Sequence, residues 1–313
     1  MTRLRLGTRG SRLARAQTDW VAAKLRAHVP DVELELIPIE TFGDVHHDVA
    51  LTPELGQSFF TKEIESALLE GRIDVAVHSC KDLATVLPDG LRLSAIPERE
   101  DPRDVLVSRA GTLAELPSGA RVGTSSPRRK GFLTAARPDL DVVDLRGNVP
   151  TRVRAVDEGR LDAAVLAAAG LRRLGMAERI TEWLEPPVMT PAAAQGALAI
   201  QTRVGDEAAN ALVAPLDHAP SRAEVTAERA CLRCLEAGCH APLGALARIS
   251  ETTLRLDAAL LAPEGLVRAD AWGGADDAEA LGAAVAETLL AQLGLASLRG
   301  ASWAGPPPRG AAK

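Results

Sequence analysis

R-V-G-T-S-S-P-R-R-K, residues 121–130, combines a short apolar strand, a glycine turn, two hydroxyls, a proline and three cations. The glycine permits a tight turn, Ser125 or Ser126 can cap a helix, and the proline suits its first position. Such a helix start favours an anion. Because Arg128 and Arg129 oppose the helix dipole there, we expect a ligand's carboxylate or phosphate to pair with them. The alternative is a solvated basic first turn.

This pattern has a second copy near the start of the chain. Residues 5–8, R-L-G-T, match 121–124, R-V-G-T, and residues 70–74, E-G-R-I-D, match 158–162, E-G-R-L-D. In both halves the order is strand, turn, helix, strand, helix, strand, which predicts two similar α/β lobes. Ligands of open α/β sheets bind at the carboxyl ends of strands, so the two Gly-Thr turns predict a central cleft.

The repeat and the changes in composition divide the chain into three domains. The first lobe is predicted to span 1–97 plus about 197–215, and the second 102–190, with the charged segment 98–104 between them. A small α+β domain is expected at 219–299. It should contain a helix over about 222–237 that ends at Gly238, strands at 243–249, 253–261 and 266–272, and a helix at 276–293. We expect a long mobile loop at 43–58 and a disordered tail at 300–313.

Composition narrows the class of protein. With 313 residues, 46% hydrophobic and 25% charged, the chain is typical of a globular protein with several cores. Its net charge of −6 argues against a nucleic-acid binder. The sequence contains neither a secretory signal nor an apolar run of membrane-spanning length, which predicts a cytoplasmic protein without a membrane partner. Four cysteines in that context indicate reduced thiols.

Cations follow the predicted strands throughout the two lobes. Taken singly, each could be a surface residue, but their shared position predicts one cleft for a ligand with several negative groups. The set comprises Arg9, Lys81, Arg128, Arg129, Arg146, Arg152 and Arg173. Asp82 lies within this basic ring. It could pair with Lys81, cap a helix, stabilise a developing cation or handle a proton.

The cysteines allow two interpretations. Cys231, Cys234, Cys239 and His240 suggest zinc, but their spacing matches no common paired pattern. We therefore expect no metal, and we expect the two cysteines within the helix to be core residues. Cys239 follows the expected helix end and could project into a cleft.

The assembled motifs resemble the hydroxymethylbilane synthases, also called porphobilinogen deaminases. They occur in that family's order over about residues 4–245. They are G-T-R-G-S-R-L-A, A-V-H-S-C-K-D, E-R-E-D-P-R-D, V-G-T-S-S-P-R-R, L-R-G-N-V-P-T-R, A-A-G-L-R-R-L-G, A-A-A-Q-G-A and T-A-E-R-A…G-C-H-A-P. The resemblance implies two lobes like type II periplasmic binding proteins around the central cleft, plus the small C-terminal domain.

The resemblance also implies site residues. A dipyrromethane cofactor would be joined through a thioether to Cys239. Its acid groups would be held by Lys81, Ser126, Arg128, Arg129 and Arg152. Substrate and the growing chain would be bound by Arg9, Ser11, Arg146, Arg152, Arg173, Gln195 and Phe60, the last by stacking. Asp82 would act on the pyrrole nitrogens and stabilise the cation left when ammonia departs.

The implied reaction is the stepwise condensation of four porphobilinogen molecules onto that cofactor, followed by hydrolysis to linear hydroxymethylbilane. Its partners would be porphobilinogen and polypyrrole intermediates, with no nucleic acid, and the family precedent suggests a monomer. Two other classes of protein also have two such lobes: a non-catalytic two-lobed binding protein for an acidic small molecule, and a DNA-binding effector sensor. The first has no need of Cys239, and the second needs a helix-turn-helix that is not evident.

The sequence departs from the family pattern at four places. Gly56-Gln57-Ser58 stands where Gly-Lys-Gly is frequent, and Phe42 where arginine is common. Ala84 replaces a usual proline, and Pro127 an apolar residue. None of these removes a proposed cofactor contact.

Overall fold

The computed structural model describes residues 3–42, 61–236, 241–263, 265–295 and 297–298. Its strands, in chain order, are β1 (Arg3–Arg9), β2 (Glu33–Ile39), β3 (Val75–Ser79), β4 (Leu91–Ala95), β5 (Asp104–Ser108), β6 (Arg121–Gly123), β7 (Asp141–Val143), β8 (Ala163–Ala167), β9 (Glu182–Leu184), β10 (Leu198–Arg203), β11 (Leu243–Ser250), β12 (Thr253–Ala262) and β13 (Gly265–Gly274).

Four of the described α-helices begin at capping residues that the sequence makes recognisable. Ser11, Ser126, Asn148 and Asp206 each accept a backbone N–H in the first turn of the helix that follows. The helices are α1 (Arg12–His28), α2 (Lys62–Leu69), α3 (Pro127–Ala136), α4 (Val149–Asp157), α5 (Ala168–Arg173), α6 (Glu207–Val213), α7 (Ala219–Cys234) and α8 (Ala278–Leu293).

Two five-stranded sheets share one topology. The first has the order β2-β1-β3-β10-β4 and the second β7-β6-β8-β5-β9. In each, the first three strands are parallel, and the fourth strand in the order runs antiparallel to the third. The predicted internal repeat is therefore confirmed. The fourth strand of each sheet is the first strand after the chain has crossed from the other sheet.

The repeat extends to individual hydrogen bonds. The Asp74 carboxylate accepts the Arg5 backbone N–H at 2.9 Å, and the Asp162 carboxylate accepts the Arg121 N–H at 2.7 Å. The Asp74 and Asp162 N–H groups in turn donate to the Arg5 and Arg121 carbonyls at 2.9 and 3.0 Å. The recurring Glu-Gly-Arg-x-Asp segment thus ends in an aspartate that ties the start of one parallel strand to its neighbour.

The glycines of the two predicted Gly-Thr turns lie in strands instead, Gly7 within β1 and Gly123 at the end of β6, and both are closely packed. A Cβ on Gly7 would overlap the Ile73 side chain, and a Cβ on Gly123 would overlap that of Leu161. Ile73 and Leu161 occupy equivalent positions in the repeat, immediately before the two clasping aspartates. A side chain at Gly7 or Gly123 would force these packed side chains to move.

The C-terminal sheet is antiparallel, in the order β11-β12-β13, and packs against α7 and α8. Leu281, Val285 and Leu289 recur at helical spacing on α8 and are all buried in its core. Cys231 of α7 belongs to the same core, as predicted, whereas Cys234 is exposed. This arrangement is the small α+β unit predicted from the sequence.

The predicted bounds of the first C-terminal helix were wrong. It begins at Ala219, where His218 accepts the Ser221 N–H, and it ends at Cys234 rather than near residue 237. Glu236 adopts a φ of +51°, so the chain leaves the helical path before the predicted cap. Gly238, the expected mobile loop at 43–58 and the expected tail at 300–313 lie outside the described residues.

A buried ion pair joins the C-terminal unit to the connections between the lobes. The Arg99 guanidinium binds Glu228 of α7 through two nitrogens, at 2.7 and 2.9 Å, and their side chains are only 5% and 0% exposed. Arg99 also donates to the Gln195 carbonyl, while Glu228 accepts the backbone N–H groups of Ala194 and Ala247. Every polar atom of the Glu228 carboxylate is therefore matched across the junction.

The two connections between the lobes lie back to back. The Glu100 N–H donates to the Gly196 carbonyl at 3.3 Å, and Gly196 adopts a φ of +89°. A Cβ at Gly196 would overlap the Glu100 carbonyl oxygen, which belongs to the backbone and cannot rotate away.

Among the described residues, no helix has the length and apolar character that crossing a bilayer requires.

We expect Gly196→Ala to destabilise the protein by at least about 1–3 kcal/mol, from backbone strain and the overlap with Glu100. Thermal unfolding followed by circular dichroism measures this change. Gly205→Ala is the matched control, because Gly205 has no positive φ and no atom lies within 4 Å of the position that its Cβ would take. Equal melting temperatures for the two variants would contradict the expectation.

Candidate active site

The first turn of α3 is built as the sequence predicts. Ser126 is the N-cap, with its hydroxyl accepting the Arg129 N–H at 3.4 Å, and Pro127 opens the helix. Ser125 instead donates its hydroxyl to the Leu145 carbonyl. This settles the cap in favour of Ser126, and it turns Arg128 and Arg129 into the protein, where both side chains are buried.

A carboxylate of the chain lies between the two arginines. Asp104, fully buried at the start of β5, lies 2.7 Å from Arg128 Nη1 through Oδ2 and 2.9 Å from Arg129 Nε through Oδ1. The protein itself therefore supplies one partner anion, and pairing of the arginines with a ligand anion stays a prediction. A solvated basic first turn is wrong, because both arginine side chains are buried. Although burial alone would raise the pKa of Asp104, the two guanidinium groups lower it far below the usual range.

Gln195 extends this cluster to Lys81. Its side-chain amide donates to Asp104 at 3.0 Å and to the Pro102 carbonyl, while its oxygen accepts from Lys81 Nζ at 3.1 Å and from Arg129 at 3.5 Å. Gln195 is 1% exposed. It therefore connects groups from both lobes, and the formal charges of Lys81, Arg128, Arg129 and Asp104 leave an excess of two positive charges.

Lys81 and Asp82 lie in a 3₁₀ turn, Cys80–Asp82, directly after β3. Burial lowers the pKa of Lys81 to about 8; the negative charges of Asp82 and Asp104 oppose this shift, and the two arginines add to it. The sequence placed this pair correctly at a strand end. The structure adds that Asp82 lies within electrostatic reach of Lys81, and so at the edge of the cation-rich cluster.

Two further predicted arginines are half-buried near this cluster. Burial and, to a smaller extent, the charge of Arg129 lower the pKa of Arg152 to about 10. Burial likewise lowers the pKa of Arg173 to about 10, with Glu100 opposing the shift. Both side chains donate to main-chain carbonyls, Arg152 to that of Gly147 and Arg173 to that of Gly196. Such cations are stabilised by an incoming anion.

Other predicted site residues are less closely tied to the cluster. Ser11 caps α1, its hydroxyl accepting the Ala14 N–H at 3.2 Å. Arg9 is half-buried at the end of β1 and lies near His78. The pKa of His78 is lowered mainly by burial and also by the positive charge of Arg9. Arg146 is exposed after β7. Cys239 and Phe60 lie outside the described residues.

Sequence reasoning missed Asp104. The segment E-R-E-D-P-R-D was recognised only as a charged joint between the lobes, although it supplies both Arg99 and Asp104 to buried ion pairs. The available signal was the density of charge next to an apolar strand. Nothing local tells which of its four acidic residues is buried.

Two family models match this chain: "Porphobilinogen deaminase, dipyromethane cofactor binding domain" over residues 4–211 and "Porphobilinogen deaminase, C-terminal domain" over residues 222–291. The chain belongs to the porphobilinogen deaminase family. The two matches together cover the motifs that carried the resemblance, and the first includes every predicted site residue except Cys239.

Curated relatives support the same family. The porphobilinogen deaminase of Syntrophotalea carbinolica is 49% identical over 292 residues, 92% of this chain and 93% of that protein. Those of Desulforudis audaxviator and Thermus thermophilus are 51% and 49% identical over 288 and 293 residues. These alignments cover 91% and 92% of this chain, and 93% and 96% of the relatives.

The fold agrees with what the family implies. The two five-stranded sheets are the paired lobes of the type II periplasmic-binding-protein kind, and the antiparallel sheet with its helices is the additional α+β unit. Among solved structures, the Methionine Binding Protein MetQ aligns with a TM-score of 0.43 at 13% identity, over 68% of this chain and 89% of that one. The assignment to the family does not depend on that similarity.

We expect Asp104→Asn to destabilise the protein by about 3–5 kcal/mol, because two buried guanidinium groups lose their only described carboxylate partner. Urea unfolding at several pH values is the measurement. The contribution of Asp104 should be complete above about pH 4 and decline as the pH falls from there towards its lowered pKa. The free energy of unfolding of Asp104→Asn should lack this dependence on acid pH.

The matched control is Asp141→Asn, since Asp141 is exposed and lies 3.8 Å from Arg121. That change should cost about 0–1 kcal/mol. A loss in Asp104→Asn no larger than in this control would show that the buried carboxylate does not hold the arginines in place.

Proposed function

We propose that this chain acts as a hydroxymethylbilane synthase through a site centred on Asp82 and the cations around it. In this reaction four porphobilinogen molecules are joined head to tail onto a covalently held dipyrromethane, each losing ammonia, and water then releases the linear tetrapyrrole. Each substrate carries an acetate and a propionate, so the growing chain is a row of carboxylates. The observation that carries this proposal is the excess of positive charge in the hydrogen-bonded cluster of Lys81, Arg128, Arg129 and Asp104, which adjoins Asp82.

The described residues fit a dipyrromethane. Arg128 Nε is buried without a hydrogen-bond partner in the part of the chain that the structure describes, and the cluster holds more cations than carboxylates. A ligand bearing several acid groups would satisfy both conditions. When bound, the dipyrromethane supplies the primer carbon to which the first substrate is joined. Cys239 is proposed as its point of attachment.

The chain's own groups divide into two sets. We propose that the primer's acid groups are held by Lys81, Ser126, Arg128, Arg129 and Arg152. Arg128 and Arg129 would do so while keeping their ion pairs with Asp104, because each guanidinium has five N–H donors. Substrate and product would be bound by Arg9, Ser11, Arg146, Arg152, Arg173, Gln195 and Phe60. The arginines and Ser11 would hold carboxylates, and Phe60 would stack on a ring. Gln195, whose amide already binds Pro102, Asp104 and Lys81, would act by holding Lys81 in place.

Asp82 is proposed as the catalytic residue. Porphobilinogen reacts with its amine protonated: when the C–N bond breaks, the electron pair leaves with nitrogen as ammonia, and positive charge develops on the pyrrole. The new C–C bond to the primer's ring carbon then forms, and that carbon releases its proton. A carboxylate beside the ring stabilises that charge and accepts a hydrogen bond from the ring N–H. The neighbouring cations anchor the substrate's acid groups, so Asp82 is the negative group available for the developing cation.

We also propose the domain division 1–97 plus about 197–215, 102–190 and 219–299, which the strand membership of the three sheets supports. A cytoplasmic monomer without nucleic-acid or membrane partners is proposed from the family resemblance.

The intact mass of the purified, denatured protein tests the proposed function. Wild type should exceed the sequence mass by two linked pyrrole units, and Cys239→Ala should show the bare mass, because no other thiol replaces the attachment. Cys234→Ala is the matched control, since Cys234 is an exposed thiol nearby in sequence, and it should keep the added mass. Bare wild-type protein that gains no mass with porphobilinogen would refute the proposal.

We expect Asp82→Asn to keep the added mass but lose nearly all turnover, because an amide cannot stabilise the developing cation as a carboxylate does. Ammonia release from porphobilinogen is the measurement. Asp89→Asn, an exposed aspartate on the same connection to β4, should retain wild-type turnover. Normal turnover in Asp82→Asn would show that another group does this work.

A further inference from the structure

The turn that carries Lys81 and Asp82 is held at its first residue by the main chain. The Cys80 N–H donates to the Ala197 carbonyl at 3.0 Å, and the Leu83 N–H closes the turn on the Cys80 carbonyl at 3.2 Å. Because Ala197 directly precedes β10, this end of the turn is fixed to the first sheet. The residues that follow Asp82 leave the sheet and need another support.

That support comes from the C-terminal unit. Arg229 of α7 reaches out of its own helix and donates from Nη2 to the Ala84 carbonyl at 2.6 Å and from Nη1 to the Leu83 carbonyl at 3.3 Å. Its side chain is buried, and residue 229 is 8% exposed. One planar guanidinium thus binds the two consecutive carbonyls that come directly after Asp82.

No neighbouring carboxylate among the described residues competes with the Leu83 and Ala84 carbonyls for Arg229. Its neighbour Glu228 is occupied by Arg99, and among the described residues no carboxylate forms an ion pair with Arg229. Val225, one turn earlier on α7, packs with Leu83 and Cys80 in one apolar cluster, so this face of the helix lies against the turn. A buried cation bound only to main-chain carbonyls fixes the backbone in one conformation.

We propose that Arg229 is a positioning residue for Asp82: by binding the Leu83 and Ala84 carbonyls, it sets the direction of the Asp82 carboxylate. The inference depends on the proposed catalytic role of Asp82. Without Arg229, the Leu83 and Ala84 carbonyls lose these donors, and the backbone after Asp82 is held less firmly. The substrate arginines Arg152 and Arg173 keep their own contacts, because these are made to other parts of the chain. The C-terminal unit would then contribute to the site through this brace as well as through Cys239.

The test measures kcat and KM for porphobilinogen with the cofactor-loaded, full-length Arg229→Met variant, which keeps most of the apolar stem. We expect kcat to fall about 10- to 100-fold, as for a small misplacement of a reacting group, while KM changes less than about twofold. The added mass should remain. Arg233→Met is the matched control, because Arg233 lies one turn further on α7 in an exposed ion pair with Glu279 and should leave kcat unchanged.

Two further variants separate positioning from a merely structural role. In an Asp82→Glu background, whose longer carboxylate no longer depends on the same turn geometry, Arg229→Met should cost much less than in wild type. Ala84→Pro should restore part of the lost kcat, since Leu83 is extended (φ −82°, ψ 141°) and tolerates a following proline that stiffens the turn.

Wild-type kcat in Arg229→Met, or a loss that multiplies fully with Asp82→Glu, would overturn the positioning role. If Arg229→Met does not fold, Arg229→Lys, which keeps the buried charge but lacks the planar fork, is judged by the same kcat criterion. Full turnover in Asp82→Asn would instead refute the catalytic assignment of Asp82, so the two failures are distinguishable.

Discussion

The arrangement of the site depends on one buried carboxylate held between two arginines. Asp104 has no solvent to stabilise its charge, so it stays ionised only because Arg128 and Arg129 bind it, and they are accommodated only because it is there. One negative charge cannot neutralise two positive ones. Gln195 holds Lys81, a third cation, next to this pair of arginines, and the resulting excess of positive charge attracts acidic ligands.

Much of the fold could be predicted from local sequence. Ser126 and Pro127 mark the start of a helix, because a serine caps it and a proline suits its first position. The repeated Glu-Gly-Arg-x-Asp segment predicts the same strand connection in both lobes, and its aspartate makes the same backbone contact in each. The end of α7 could not be predicted in this way, because Glu236 takes a positive φ that its residue type does not favour.

The candidate site, like the fold, could be predicted from the sequence only in part. Lys81 and Asp82 follow a strand of the first sheet and the α3 arginines a strand of the second, and their place at strand ends could be predicted because open α/β sheets bind ligands there. The partners of these groups come from distant parts of the chain: Gln195 is 114 residues from Lys81, and Glu228 is 129 from Arg99. No periodicity reports such pairs. A basic residue in a motif therefore indicates a charged site, but its partner, whether ligand or protein, is known only from the packing.

The exchange of strands between the two lobes has a consequence for how the protein is made. The second sheet is formed wholly from residues 104–184, so all its strands are available before β10 is synthesised. The first sheet is different, since β10 lies between β3 and β4, and β4 has no neighbour in that sheet until residue 203 has left the ribosome. The lobe that begins the chain is therefore completed after the lobe that follows it. During translation, the turn that carries Lys81 and Asp82 follows β3, and β3 has no β10 to pair with until more than a hundred further residues have been added.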